Sequence, residues 1–248
     1  SQNQVVFGFF DHDNFIDQTI NDPVAGSLTF QAQQNILGAY GEAAFDYGGY
    51  LFLTLSGRND WASTLEAENN SLFYPGAALS FVPTSMDGGS SDALNYLKFR
   101  AGYGTSARFP GVYSTRTGFN STASAVIDSD GNAITTNGLS SFLGNVNLKP
   151  ELQKEFELGL DADLFKKRIS VDATVYRRSI QDQIVSRPIS PSTGATRTSD
   201  NIAETQIEGV ELGLNFTLIQ SDNFTWKVRN NFSAAENTVI DLGGVESF

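Results

Sequence analysis

Side chains able to do bond chemistry are scarce in this sequence, and their spacing argues against an enzyme. His12 is the single histidine and cysteine is absent. A Ser-His-Asp triad would have to be built on His12, and no G-x-S-x-G elbow accompanies it. Metal sites of the His or Cys type cannot be assembled, and disulfides are excluded. Asp11, Asp13 and Asp17 and the run DSDGN at 128–132 offer carboxylates. The 1, 3, 5, 12 ligand order of a calcium loop is missing from both, so they read as solvated loop sequence. GYGTSA at 102–107 matches a dinucleotide fingerprint, which requires a helix after it, yet RFPG follows. No catalytic residue, metal or cofactor is expected.

What remains is chemistry of recognition. Arg108, Tyr113 and Arg116 lie in one long polar insert and combine cationic and aromatic groups suited to a polar ligand. Lys98 and Arg100 in one alternating segment face a second segment that carries Asp161 and Asp163. If Phe99 sits opposite Ala162, Lys98 meets Asp163 and Arg100 meets Asp161. Such cross-strand pairs contribute roughly 0.2–1 kcal/mol each.

The elements that must hold these residues are strands. Between 148 and 236, four segments alternate apolar and polar residues at period two. Phe156, Leu158, Leu160, Ala162 and Leu164 share one face, with Glu155, Glu157, Gly159, Asp161 and Asp163 on the other. Ile169 to Val175, Val210 to Leu218 and Phe224 to Phe232 repeat the pattern. Strict alternation marks strands with two chemically different faces, and several carboxylates on one face mean that this face meets water. Four more such segments fall at 36–46, 50–59, 72–82 and 95–105. Short turns join the members of each pair, near 47–49, 166–168 and 220–223, with a longer link at 83–93. Long polar stretches at 60–71, 106–149 and 181–203 separate the pairs. Residues 5–10 read as a strand end running into a long loop. Strands of about ten residues with short turns at one rim and long loops at the other describe an antiparallel, up-and-down transmembrane β-barrel.

Composition agrees. The chain has 248 residues, is 40% apolar and carries a net charge of −12. It has no run of roughly 18 apolar residues, so no membrane helix is expected. The acidic balance, with no basic stripe, argues against nucleic acid as a partner. Nineteen Phe and eight Tyr suit aromatic girdles at two membrane interfaces. A barrel must be exported, and SQNQVVFGFF lacks a basic leader. A mature protein or a piece of a longer chain is therefore expected, with 1–248 forming part of one barrel domain.

Several motifs in order resemble the barrel of TonB-dependent outer-membrane receptors. They are NLKPE at 147–151, FELGL at 156–160, the D-x-I at 182–184, Asn201 and GVEL at 209–212. Upstream, YGTSARFPGVY at 103–113 is similar to the family's Tyr-Gly-x-x-x-Arg-x-Pro segment, and GRNDWAS at 57–63 to an Arg-x-Asp typical of the SusC-like branch. The resemblance spans about 34–242. It implies a bacterial outer-membrane location, contact with outer-membrane lipid, and import of an oligosaccharide, peptide or metal chelate. It also implies an energy-coupling protein of the TonB type and a SusD-like surface lipoprotein. The family's plug and TonB box are missing from this sequence. Eight or nine strands are far fewer than the roughly 22 of such a transporter. The alternative is a self-contained eight-stranded barrel with an adhesive or structural role. The lumen-side Gly38, Gly102, Gly104, Gly159 and Gly213 are too small to fill so narrow an interior, which favours the larger barrel.

Overall fold

A computed structural model of the chain describes residues 4–22, 26–127, 129, 130 and 133–243. Its strands are β1 Gln4–Asp22, β2 Gly26–Tyr47, β3 Leu51–Ala62, β4 Ser71–Phe81, β5 Leu94–Arg108, β6 Phe119–Ile127, β7 Ala133–Leu139, β8 Phe142–Leu143, β9 Glu151–Leu164, β10 Ile169–Pro188, β11 Arg197–Gln220 and β12 Thr225–Asp241. Nine of them form one sheet in the order β1-β2-β3-β4-β5-β9-β10-β11-β12, and every neighbouring pair is antiparallel. This is an up-and-down meander, part of a β-barrel wall. β8 joins β11 by a short parallel pairing, and β6 with β7 makes a separate hairpin.

The alternation survives in the ladder as continuous rungs. Phe45, Leu53, Leu79, Ala101, Leu158, Val175, Val210 and Ala234 stand in register across eight strands. One residue along, the rung reads Ala44, Thr54, Ala78, Gly102, Glu157, Tyr176, Gly209 and Ala235. Adjacent rungs point to opposite faces, so one face is apolar and the other polar. The apolar face is exposed: Leu158 keeps 47% and Val175 51% of its surface. Leu160, Val171, Leu212, Leu214 and Val228 are half-exposed, and none of these is buried. A water-soluble sheet does not present so broad an apolar face; a bilayer covers it.

Exposed aromatics bound this band. Tyr47, Phe165, Phe224 and Trp226 stand at the short-turn rim, with Trp61, Phe73, Tyr103 and Phe156 toward the other. The lower edge of the band also slips along the sheet. Tyr47, Leu51 and Phe81 end it on β2 to β4, in the same rung as Leu160, Ala173 and Leu212. On β9 to β11 it ends four residues further down, at Leu164, Ile169 and Phe216. That stagger is what strand tilt in a barrel produces.

Three expectations need correction. Residues 11–22 are not a loop: β1 runs to Asp22 and pairs with β2 along its whole length. Asp11, His12, Asp13 and Asp17 therefore sit on a strand. The polar stretch 181–203 is largely strand too, because β10 continues to Pro188 and β11 starts at Arg197. β12 likewise extends to Asp241. Beyond the membrane both faces of a hairpin meet water, so the alternation fades while the hydrogen-bonded ladder goes on. Most of DSDGN lies outside the described residues.

Among the short turns, Gly48 and Gly49 take φ of +64° and +72°, where glycine carries no steric penalty. The turn after β9 reaches the same region without glycine, with Phe165, Lys166 and Lys167 at φ +54°, +58° and +64°.

Candidate functional site

The polar face carries an ordered set of charges, positioned by β5, β9 and β10. β5 and β9 are antiparallel neighbours, but their register differs by two residues from the one expected. Phe99 lies opposite Leu160, Lys98 opposite Asp161 and Arg100 opposite Gly159. Lys98 therefore pairs with Asp161 at 3.5 Å, not with Asp163. Asp163 instead accepts from Ser170 Oγ at 2.6 Å. Arg100 reaches Asp161 diagonally at 3.5 Å and binds Asp172 and Thr174 on β10, both at 2.7 Å. The ladder keeps this register from Tyr96 opposite Asp163 to Arg108 opposite Glu151, with an irregularity only at its end, between Leu94 and Tyr96. A shift of two residues leaves every side chain on its face.

Glycines shape the same wall. A Cβ on Gly159 would strike the Arg100 side chain, with Cγ at 2.8 Å, and one on Gly209 would meet Tyr176 Oη at 2.5 Å. At Gly102 the obstacle is Glu157 Cγ at 2.9 Å. Each glycine lets a long side chain from the next strand lie flat along the sheet, which keeps the polar face open.

Higher on the wall, a concavity of about 640 Å³ is bordered by Tyr40, Glu42, Arg58, Tyr74, Glu155 and Glu157. Arg58 donates from Nε and Nη2 to both oxygens of Asp60, at 2.8 and 3.0 Å. Tyr74 also donates to Asp60, which is 4% exposed, and the guanidinium stands 5.8 Å from the Tyr74 ring centre. The Arg-x-Asp of GRNDWAS is thus a two-pronged ion pair between a buried Asp60 and a partly exposed Arg58. Its signal in the sequence is an i, i+2 spacing, which puts both side chains on one strand face. Arg178 and Glu155 form a second pair at 2.5 Å.

Above the wall, the connecting segments pack into a layer of their own. Leu148 is fully buried, and Leu65, Ala195, Thr64, Thr115 and Thr198 are almost so. The NLKPE run is the foot of this layer. Asn201 on β11 receives the Lys149 N–H at 2.8 Å and donates to the Lys149 carbonyl at 2.9 Å and the Asp182 carbonyl at 2.7 Å. Asp182 is a bulge residue at φ +54°. Asn145 donates to the Ser199 carbonyl at 2.9 Å and to Asp200. The motif residues 147–151 and Asn201, far apart in sequence, are one clamp.

The three loop candidates separate in space. Tyr113 and Arg116 line one cleft of about 240 Å³ with Thr64, Glu66 and Thr115, and Arg116 pairs with Glu66 at 2.8 Å. Arg108 is not part of it; its 83% exposed side chain stands 3.9 Å from Glu151. Glu66, in the stretch between β3 and β4, had no signal in the sequence, because its partner lies fifty residues away.

Wall, lipid face and loop layer now stand together, and comparison with known proteins gives them a family. A family model described as TonB dependent receptor-like, beta-barrel matches residues 2–245. The chain belongs to that family. Members of the TonB-dependent receptor family are β-barrel proteins of the bacterial outer membrane. TonB-dependent receptor P26 of Formosa agariphila is 29% identical over 243 residues, 95% of this chain and 24% of the relative. TonB-dependent receptor P3 of the same organism is 28% identical over 225 residues, 88% of this chain and 22% of the relative. The chain thus spans about a quarter of the length of these receptors. Among solved structures, the RagAB peptide importer in its closed-closed state aligns over 97% of this chain and 28% of its own, with a TM-score of 0.83 at 19% identity. That likeness concerns the fold. TonB-dependent receptors and transporters are not enzymes, in keeping with the scarcity of reactive side chains.

Proposed function

We propose that this chain forms part of the wall and outer mouth of an energy-coupled transporter that imports a large polar nutrient across the outer membrane. The carrying observation is the open polar face: Arg100, Tyr176 and Glu157 lie flat over glycines rather than filling an interior. A narrow barrel needs its interior filled by side chains, whereas a wide one leaves room for a plug. β1 and β12, the edges of the sheet, are not paired with each other among the described residues. Unpaired strand edges are costly in a bilayer, so further strands close the wall in this reading. This disfavours a self-contained eight-stranded barrel. A plug with its TonB box belongs to the rest of such a protein, together with a TonB-type coupling partner. The loop layer, packed around Leu148, is a pre-ordered platform for solute and for a surface lipoprotein of the SusD type.

The test is uptake by cells carrying the full-length receptor, with and without a functional energy-coupling protein. Uptake lost on uncoupling supports the proposal. The 248 residues alone, reconstituted in liposomes, should transport nothing, and solute flux through them would favour a self-contained pore instead.

A further inference from the structure

We propose that the bilayer-facing side of β9 to β12 holds a lipid whose head group carries both a phosphate and a primary ammonium, with one acyl chain lying in a groove beneath it. The proposal uses the assignment of the apolar face to the membrane and is independent of what the barrel transports. The groove, of about 560 Å³, opens on that face. Its floor is the rung of Val175, Val210 and Ala234, and Phe156 and Leu158 of β9 border it on one side. Small side chains on three strands beside a phenylalanine leave a trough in the band. Because this face meets hydrocarbon, the occupant of the trough is an acyl chain. Lipid tails are as apolar as leucine, so the chain gains little over bulk lipid. The groove therefore fixes its place, and selectivity falls to the head group.

One rung up, on the same face, charges replace the apolar residues. Phe156, Arg177, Glu208 and Glu236 stand in register there and line the end of the groove. The apolar band stops at this rung on β10 to β12, so the charges stand at head-group depth. Arg177 donates to Oε1 of Glu208 from Nε at 2.6 Å and pairs with it through Nη2 at 2.5 Å. Both side chains stay exposed, at 66% and 51%, and Nη1 of Arg177 is left to donate to a phosphate oxygen. Glu236 lies directly opposite Glu208, and like charges in that position repel. An ammonium, with three N–H donors, relieves that repulsion when it sits between the two carboxylates. With one cation and two anions, the rung disfavours a purely anionic head group and matches one that is anionic at one end and cationic at the other. Neighbouring strands are about 4.8 Å apart, a separation that a phosphate and an ammonium joined by a short carbon link can bridge.

The experiment is native mass spectrometry of the delipidated full-length receptor, incubated in detergent with phosphatidylethanolamine, phosphatidylcholine, phosphatidylglycerol or monophosphoryl lipid A at equal concentration. Phosphatidylethanolamine should add saturably, as one tight adduct. The other three lack a primary ammonium beside the phosphate and should bind about tenfold more weakly, the scale of a charge-assisted hydrogen bond. Val210→Phe fills the groove without altering charge and should weaken the phosphatidylethanolamine adduct several-fold. The double variant Glu208→Gln with Glu236→Gln is the sharper one. It turns the rung from net negative to net positive, so phosphatidylglycerol should then bind more tightly than phosphatidylethanolamine. A merely structural role for these carboxylates would lower stability without exchanging the order of the lipids. Heat-modified migration on gels identifies the folded fraction on which each variant is scored. Lack of a saturable adduct, or any of the other three lipids binding the unaltered receptor as tightly as phosphatidylethanolamine, overturns the proposal. So does a folded Val210→Phe receptor that binds phosphatidylethanolamine undiminished, or a folded double variant that keeps the original order of lipids.

Discussion

Single residues in this wall are constrained by backbone conformation and close approach more than by burial. Phe165, Lys166 and Lys167 hold left-handed φ values in succession, and each non-glycine residue there costs roughly 1–2 kcal/mol. Lys166→Gly should stabilise the full-length receptor by up to about 1 kcal/mol, read as a higher midpoint of heat-modified migration on gels. A lower midpoint would mean that the Lys166 side chain contributes more than the strain costs; its contact with Asp92 at 3.3 Å is solvent-exposed and is expected to add little. Gly159 makes the opposite demand. Gly159→Val drives a Cβ into Arg100 and should destabilise by about 1–3 kcal/mol, the usual scale of overpacking. Because the damage acts through Arg100, much of it should disappear in the Arg100→Ala background. Equal loss in both backgrounds, measured as a double-mutant cycle, would show that the strand itself needs the glycine.

At the level of elements, the sheet has a lipid side and a water side, and substitutions should respect them. Leu158→Arg, in the middle of the apolar band, should cost about 2–4 kcal/mol in folding into liposomes. Thr174→Arg, one strand over on the polar face, should cost far less and chiefly alter the charge around Asp172. Equal cost at both positions would contradict the assignment of faces. The clamp at Asn201 joins elements rather than residues, holding the foot of the long insert to β11 and to the β10 bulge. Asn201→Ala leaves three backbone groups without that partner. It should expose segment 141–150 to protease while β9 to β12 stay folded. Unchanged cleavage would assign the anchoring of that segment to Leu148 and Asn145 instead.

At the scale of the whole sheet, β1 and β12 are unpaired edges among the described residues, and with the open polar face they suit the proposed wall of a wider barrel. The segment expressed alone should associate through β1 and β12 or fail to insert, since free edges template further pairing. Cross-linked oligomers rather than monomers are therefore expected in detergent. A monomer with protected edge amides by hydrogen exchange would instead mean that the sheet closes on itself. The loop layer behaves differently from the wall. Its buried residues give it a core of its own, so it should remain ordered wherever the wall around it is complete.

Alternation in the sequence determined the strands that cross the membrane, the side each residue faces, the order of short and long connections, and, with the motifs at 147–160 and 201–212, the family. Those features are local: a strand between lipid and water writes its two faces into every other residue. Register was not legible, because a slip of two residues keeps each side chain on its face. Whether Lys98 meets Asp161 or Asp163 is decided by the pairing of the whole β5–β9 ladder, from Tyr96 opposite Asp163 to Arg108 opposite Glu151. The upper halves of β1, β10, β11 and β12 escaped notice because water on both faces erases the pattern while the ladder persists. The pairing of Arg116 with Glu66, and of Asn201 with Lys149, joins segments about fifty residues apart in the chain. No periodicity records such a meeting; only the folded sheet, by fixing where its loops rise, brings those residues together.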